Sequence, residues 1–403
     1  MRVLIVCPLL PYPLTDGGRK GVYYPIKYLT ARGHQIHLAC LTAEYDTSAV
    51  AEMKKFCSVD VVVASKDPTL FGALKGLFST TPYELSRFHN VELLKRIEKL
   101  IAANSFDIVQ VEGIHSAFYG LEILKVTDIP VVMRVHNVHS RNLVRLVDQT
   151  MNPILKTYLR YESRKIENYE IRQSPEFDLN LCVSGVDQEV VLSQNPRNQC
   201  TVVPAGVDLS EFCPGSPEEE EACSVLWLGG LQWLPNQDSF WWFYKEIVPR
   251  IVALEKKARI SVVGSNAPRN ILELQHPNVN ILGFVPDVER VLRRAQVCVV
   301  PLRAGSGIRL KLLEMFATQK AVVSTSVGCE GLDVKDDEHL LVADTPEDFS
   351  DAVIRLLGDA NLRQRLSTNA LEHVRRHYSW ERIAEMYEQA FLSLLGNRAH
   401  TAR

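Results

Sequence analysis

The chain has no Cys-x-x-Cys pair, and its nine cysteines are odd in number and scattered. That pattern excludes a zinc ribbon or a disulfide framework and predicts reduced, mostly buried thiols in a cytosolic setting. No apolar stretch approaches the roughly 20 residues that span a bilayer. Neither sign of charge dominates: 45 Lys and Arg stand against 48 Asp and Glu, a net charge of −3, which gives no reason to expect nucleic-acid binding. Also missing are the GxGxxG dinucleotide fingerprint, a Walker loop and any low-complexity tail. The apolar run at residues 3–7 is too short and too broken by Pro8, Pro11 and Pro13 for a signal peptide. Asp16-Gly17-Gly18-Arg19 stands where a small-residue cleavage site would be, so the run reads as a first β-strand.

What is present is chain enough for about two domains. Its 403 residues exceed what one hydrophobic core organises, and 46% hydrophobic with 23% charged residues is ordinary soluble composition. Short β-rich runs at residues 3–7, 36–41, 59–64, 108–111, 131–135 and 179–183 alternate with helical patterns such as 21–32 and 91–103. Near-continuous apolar strands between amphipathic helices predict parallel sheets covered on both faces. An acidic, proline-bearing passage at 213–222 reads as a linker with few packing demands. A second set of strands follows at 225–228, 260–263, 279–282, 297–300, 321–324 and 340–342, and a helical pattern at 380–395 closes the chain. The expected fold is α/β, with two doubly wound domains facing a central cleft and ligands beyond the carboxyl ends of the strands.

Residues 297–324, VCVVPLRAGSGIRLKLLEMFATQKAVVS, carry the densest chemistry. A strand enters a loop with Gly305 and Gly307, and a helix then opens at Arg309–Lys311 with one acid, Glu314, a turn deeper. Two cations and free backbone N–H groups at a helix N-terminus favour an anion. Glu314 can accept from hydroxyls but cannot bind phosphate, so diphosphate and ribose together suggest a nucleotide. The competing reading is a surface ion pair between Lys311 and Glu314 at i, i+3, with Leu312, Leu313, Phe316 and Ala317 as the buried face.

Elsewhere, Gly17 and Gly18 in the loop 14–21 would admit a ligand close to the backbone, or serve a tight turn. His136 follows strand 131–135, where it can donate a hydrogen bond or shuttle a proton. The alternative there is a helix start capped by Asn137, and His139 reads as a helix-surface residue. No metal is expected, because no carboxylate or cysteine stands at local ligand spacing. Segments 71–95 and 142–172 mix apolar and basic residues, as helices lying on anionic lipid do and as ordinary solvated helices do.

With these motifs on the page, the chain resembles the GT-B glycosyltransferases, specifically the large retaining family called group 1 or family 4. The resemblance spans PYPxxDGGR, RVHN, VVPAGVD, GFVPDVERVLRRAQVCVVPL, the region of Glu314, STSVGCEGL and YSWERIAEMYEQAF. It implies two Rossmann-like domains, an acceptor-binding domain at 1–205 and a donor-binding domain at 206–379. A helix at 380–403, led by Trp380, would cross back to the first. Glu314 matches the acid that binds ribose hydroxyls, and the loop with Ser306, Gly307, Ile308 and Leu310 lies where amides meet the diphosphate. Phe284 and Val285 match the base site, His136 the histidine near the transferred sugar, and Gly17 and Gly18 the loop closing on the phosphates. Two positions depart from the family. Ser306 replaces the first acid of an E-x7-E pair, and the loop 228–238 (LGGLQWLPNQD) lacks the usual Arg and Lys diphosphate clamps. Arg309 and Lys311 are the expected substitutes.

The resemblance implies retaining transfer of a hexosyl unit from a nucleotide diphosphate sugar to a hydroxyl acceptor, in cell-surface polysaccharide or glycolipid synthesis. Expected partners are the nucleotide sugar and a saccharide or lipid-linked acceptor, with no cofactor, no metal and no nucleic acid. The expected location is the cytoplasm, with peripheral contact at the cytoplasmic face of the inner membrane as an extension. The rival readings are a nucleotide-sugar epimerase of the same fold and a catalytically inactive sugar-nucleotide-binding subunit.

Overall fold

The computed structural model of the chain describes residues 1–65, 67, 69–149, 152–305 and 307–401, with backbone alone at 70, 71, 75, 142, 145, 146, 148, 149 and 399–401. The chain forms two compact units, Met1–Pro204 with Trp380–Arg403, and Ala205–Ser379.

The first unit is built on seven parallel strands: β1 (Arg2–Cys7), β2 (Gln35–Thr42), β3 (Ser58–Val63), β4 (Ile108–Glu112), β5 (Val131–Val135), β6 (Leu179–Cys182) and β7 (Cys200–Val202), in the order β3-β2-β1-β4-β5-β6-β7. Consecutive residues Val3, Leu4, Ile5 and Val6 are all buried, so β1 is covered on both faces, as its unbroken apolar run requires. β7 is unforeseen in the sequence. It is a three-residue edge strand with Thr201 exposed, too short to show a period.

Three helical expectations change. The helix Gly17–Ala31 begins at Gly17 rather than at residue 21, because the Asp16 side chain accepts from the Arg19 amide at 3.0 Å. Gly17 and Gly18 therefore form a helical first turn, not a loop. Segment 71–95 is broken into parts of three helices, Leu70–Gly76, Tyr83–Ser86 and Val91–Ala103, with residues 77–82 and 87–90 between them. Segment 142–172 is divided between His139–Gln149 and Pro153–Gln173, since Pro153 has no amide hydrogen for a continuous helix and Asn152 caps the second one. The terminal helix Trp380–Thr401 belongs to this unit. Trp380 stacks on Tyr24 with ring centroids 5.4 Å apart. Buried Arg134 on β5 lies over the Tyr387 ring and donates to the carbonyls of Leu181, Val203 and Pro204. The arginine of the RVHN motif is thus a structural clamp.

The second unit repeats the plan with β8 (Ser224–Leu228), β9 (Arg259–Val263), β10 (Val279–Gly283), β11 (Val297–Val300), β12 (Ala321–Ser324) and β13 (Leu341–Val342), ordered β10-β9-β8-β11-β12-β13 and all parallel. Trp227, Phe240, Phe243 and Phe349 fill one face of the sheet, and Leu312, Phe316 and Leu340 the other. The acidic passage 213–222 is not a loosely held linker. Glu221 pairs with Arg294, Glu220 lies 3.3 Å from Lys320 Nζ, and Arg293 donates to the Cys213 carbonyl at 3.2 Å. Composition shows the acids but not the cations they meet.

Strand order reverses between β1 and β4 in one sheet and between β8 and β11 in the other. The loops leaving the carboxyl ends there diverge, which is where open α/β sheets hold ligands.

Candidate active site

In the second unit the expected nucleotide motif lies at such a carboxyl end. β11 leads into a loop in which Gly305 has φ 132° and Gly307 φ 75°, backbone shapes that side chains disfavour. The helix Leu310–Ala317 follows, with Arg309 in extended conformation at its N-cap. Arg309 is buried, and its guanidinium donates to the Gly307 carbonyl at 2.7 Å and the Val327 carbonyl at 3.4 Å. These bonds brace the loop. Lys311 reaches the other way: its Nζ donates to the Leu228 carbonyl at 2.8 Å and lies 3.4 Å from Asn236 Oδ1. The ammonium therefore sits at the end of β8, within the loop 228–238 that lacks its own clamp cations. Burial, helped by the neighbouring Arg309 charge, pushes the Lys311 ammonium down to about 7.

Glu314 is buried one turn farther along the same helix, and Ile308 and Leu310 are partly buried against the core beside it. Phe284 is exposed and Val285 half-buried just after β10, where Gly283 turns the chain with φ 66°. Ser306 lies outside the described residues. Sequence reading passed over the glycines that close the neighbouring loops. A Cβ on Gly264 would meet the Gly229 carbonyl oxygen at 2.0 Å, and one on Gly328 the Val300 carbonyl oxygen at 2.5 Å.

In the first unit His136 leaves β5 with its ring between two glycines. Ideal Cβ positions at Gly21 and Gly113 lie 3.4 and 3.5 Å from the imidazole, at van der Waals contact with it. Gly17 and Gly18 are exposed at the start of the helix that carries Gly21. His136 Nε2 is 2.8 Å from Oε2 of Glu112, the last residue of β4, which is 1% exposed and also accepts from Gln110 Nε2.

Glu112 was missed in the sequence. The available signal was Gln110 and Glu112 at i, i+2 in the otherwise apolar run IVQVE, two polar groups on one strand face. It is a positioning residue, acting through His136. Glu112→Gln is expected to lower kcat about 10–100-fold, the usual scale for an orienting partner, with donor KM and thermal midpoint near wild type. An unchanged kcat would remove this role.

The other reading at this corner, Asn137 as helix cap, gives way to Glu170. Its carboxylate accepts from the His139 amide at 2.7 Å and the Ser140 amide at 3.3 Å. Burial lifts the Glu170 carboxyl above the ordinary carboxylate range despite those bonds. His139 is not a surface residue. Its side chain is 17% exposed and its Nε2 lies 3.1 Å from Glu84 Oε1.

Comparison with known proteins agrees with the fold. The model described as Glycosyltransferase Family 4 matches residues 15–211, and that described as Glycosyl transferases group 1 matches residues 222–359. The chain is 20% identical over 405 residues to an uncharacterized 44.6 kDa protein in the cps region of Klebsiella pneumoniae, covering 95% of this chain and 97% of the relative. It is 27% identical over 222 residues to the lipopolysaccharide core biosynthesis mannosyltransferase LpcC of Rhizobium leguminosarum bv. viciae, across 49% of this chain and 60% of that one. Among solved structures, sucrose-phosphate synthase from Thermosynechococcus elongatus superimposes with a TM-score of 0.71 at 17% identity, covering 98% of this chain and 100% of the other. Anabaena HepE in complex with UDP-glucose gives 0.67 at 13% identity, over 98% and 100%. The chain belongs to the group 1 GT-B glycosyltransferases and is a glycosyltransferase.

Proposed function

We propose that the protein transfers a hexosyl unit, with retention of anomeric configuration, from a nucleotide diphosphate sugar to a hydroxyl acceptor in cell-surface polysaccharide or glycolipid synthesis. One observation carries the reading: a single loop–helix leaving β11 holds the glycine loop and Glu314 and sends the Lys311 ammonium to the carboxyl end of neighbouring β8. In the reaction the sugar's anomeric carbon forms a bond to the acceptor oxygen as its bond to the diphosphate oxygen breaks. The diphosphate leaves with the electron pair, and the acceptor proton is released. Lys311, the helix N-terminus and the loop amides meet the charge that develops on the leaving group, so the chemistry needs no metal. Glu314 holds the ribose.

A nucleotide-sugar donor is supported by the UDP and UDP-glucose complexes of Anabaena HepE. A polysaccharide or lipid-linked acceptor is supported by the name of LpcC and by the cps-region relative. No helix among the described residues is long and apolar enough to cross a membrane. Phe78, 93% exposed, and Ile154, 82% exposed, project from basic segments of the first unit, which supports peripheral contact with the cytoplasmic membrane face.

The test has two arms. A thermal-shift panel of nucleotide sugars should single out one donor, which at about 100 times its Kd adds roughly 2.7 kcal/mol of stability. The anomeric proton of the product made from that donor should keep the donor's configuration by NMR. An inverted product ends the retaining assignment, and failure to float with anionic vesicles ends the membrane one.

A further inference from the structure

We propose that Glu84, His115 and His139 form a binding site for a borderline divalent cation such as Zn²⁺, with its fourth position open to exchange. The residues come from three elements of the first unit. Glu84 lies in the short helix Tyr83–Ser86, His115 in the single turn Ile114–Ser116 after β4, and His139 at the start of the helix His139–Gln149 after β5. Their ligand atoms, one carboxylate oxygen and two imidazole nitrogens, all lie within 4.8 Å of one another.

The spacing matches that of ligands around one metal ion. Zinc bound tetrahedrally at about 2.0–2.1 Å separates its ligand atoms by roughly 3.3 Å. Glu84 Oε1 is 3.1 Å from His139 Nε2 and 3.6 Å from His115 Nε2, which brackets that edge. His139 Nε2 is shielded from solvent and makes no hydrogen bond, because its contact with the carboxylate is off the hydrogen-bond direction.

The rings are also held in place. His115 packs edge-on against Phe88 and against His139, with centroids 4.8 and 5.2 Å away, and the His139 backbone is fixed by Glu170. Two imidazoles and a carboxylate suit zinc, nickel or copper rather than magnesium or calcium.

A bound cation would pin the helix Tyr83–Ser86 to the segments leaving β4 and β5, the strands that carry Glu112 and His136. It would act as a brace, outside the transfer chemistry. Local spacing in the sequence gave no hint of it, because the three ligands are brought together only by the fold.

The test uses the full-length, untagged chain, stripped with a chelator and titrated with Zn²⁺ by calorimetry and with Co²⁺ by visible absorption. One cation per chain is expected, with tetrahedral cobalt bands and a higher thermal midpoint in Zn²⁺. Glu84→Gln and His115→Gln, both at partly exposed positions away from the helix cap, should each weaken binding at least 10–100-fold. His339→Gln in the second unit should not. Absence of saturable binding overturns the proposal, as does binding that survives both substitutions in variants with wild-type circular dichroism.

Discussion

Lys311→Met is expected to lower kcat/KM for the donor about 10²–10³-fold, the usual cost of removing one group that stabilises developing charge. It should also flatten the pH dependence of donor binding. In the free protein Nζ is enclosed, bonded to the Leu228 carbonyl and close to Arg309, and burial first and that charge second push the ammonium down to about 7. An anionic diphosphate favours the charged form and raises the value on binding. Binding above about pH 7 must therefore take up a proton, so affinity is flat below that value and falls by up to about tenfold per pH unit above it. Calorimetry in buffers of different ionisation enthalpy would detect the proton.

Stability follows from the same shift. The group titrates near 10.5 in the unfolded chain and about 7 in the folded one, so the unfolded state holds more protons between those values. Stability rises with pH across that window and is lost as pH falls back through 7; the methionine variant should lack this slope. Wild-type affinity that does not change above pH 7 would sink the assignment. Arg309 is a different case. Its guanidinium is committed to the Gly307 and Val327 carbonyls, so Arg309→Ala acts first on loop shape.

The strands were legible because a parallel strand covered on both faces is mostly an unbroken apolar run, as 3–6 and 297–300 are. Neither β7 nor the helix break at Pro153 was read correctly. The first is too short for a period, and the second sits inside an amphipathic pattern continuous enough to hide one proline. The proposed donor motif stood out in the sequence because its loop, cations and acid are contiguous. What escaped notice depends on contacts between distant elements. Glu112 and His136 belong to neighbouring strands, Lys311 bridges from its helix to the end of β8, and Glu84 meets two histidines from other elements. A one-dimensional pattern contains the residue types for each pair but not the register that joins them. Glycine shows the same limit. Gly17 and Gly18 stood out as a doublet but lie at an exposed helix start, whereas lone Gly264 is closely confined.

Gly264→Ala is accordingly expected to destabilise the second unit by about 3 kcal/mol, the upper range for overpacking. The methyl group would stand 2.0 Å from the Gly229 carbonyl oxygen, with Leu231 Cγ at 3.4 Å closing another side. The clash is with backbone, so no rotamer change relieves it. Both partners are tied down as well: the Gly264 amide donates to the Gly283 carbonyl at 2.8 Å and the Gly229 amide to the Val263 carbonyl at 2.9 Å. Relief must therefore push the chain after β8 outward, moving the loop whose Leu228 carbonyl receives Lys311. A fall in thermal midpoint of roughly 6–12 °C should accompany weaker donor binding. Two controls separate this clash from glycine effects in general. Gly283→Ala meets open space but has φ 66°, so it should cost only the roughly 1–2 kcal/mol of a left-handed residue. Gly358→Ala has open space and no such strain, and should be neutral or stabilising by about 0.4–1 kcal/mol. If Gly264→Ala unfolds at the wild-type denaturant midpoint while Gly283→Ala does not, the close approach of β8 and β9 described here is wrong. If Gly264→Ala is destabilised as expected but donor affinity is unchanged, the Leu228 carbonyl is not part of the donor's phosphate environment.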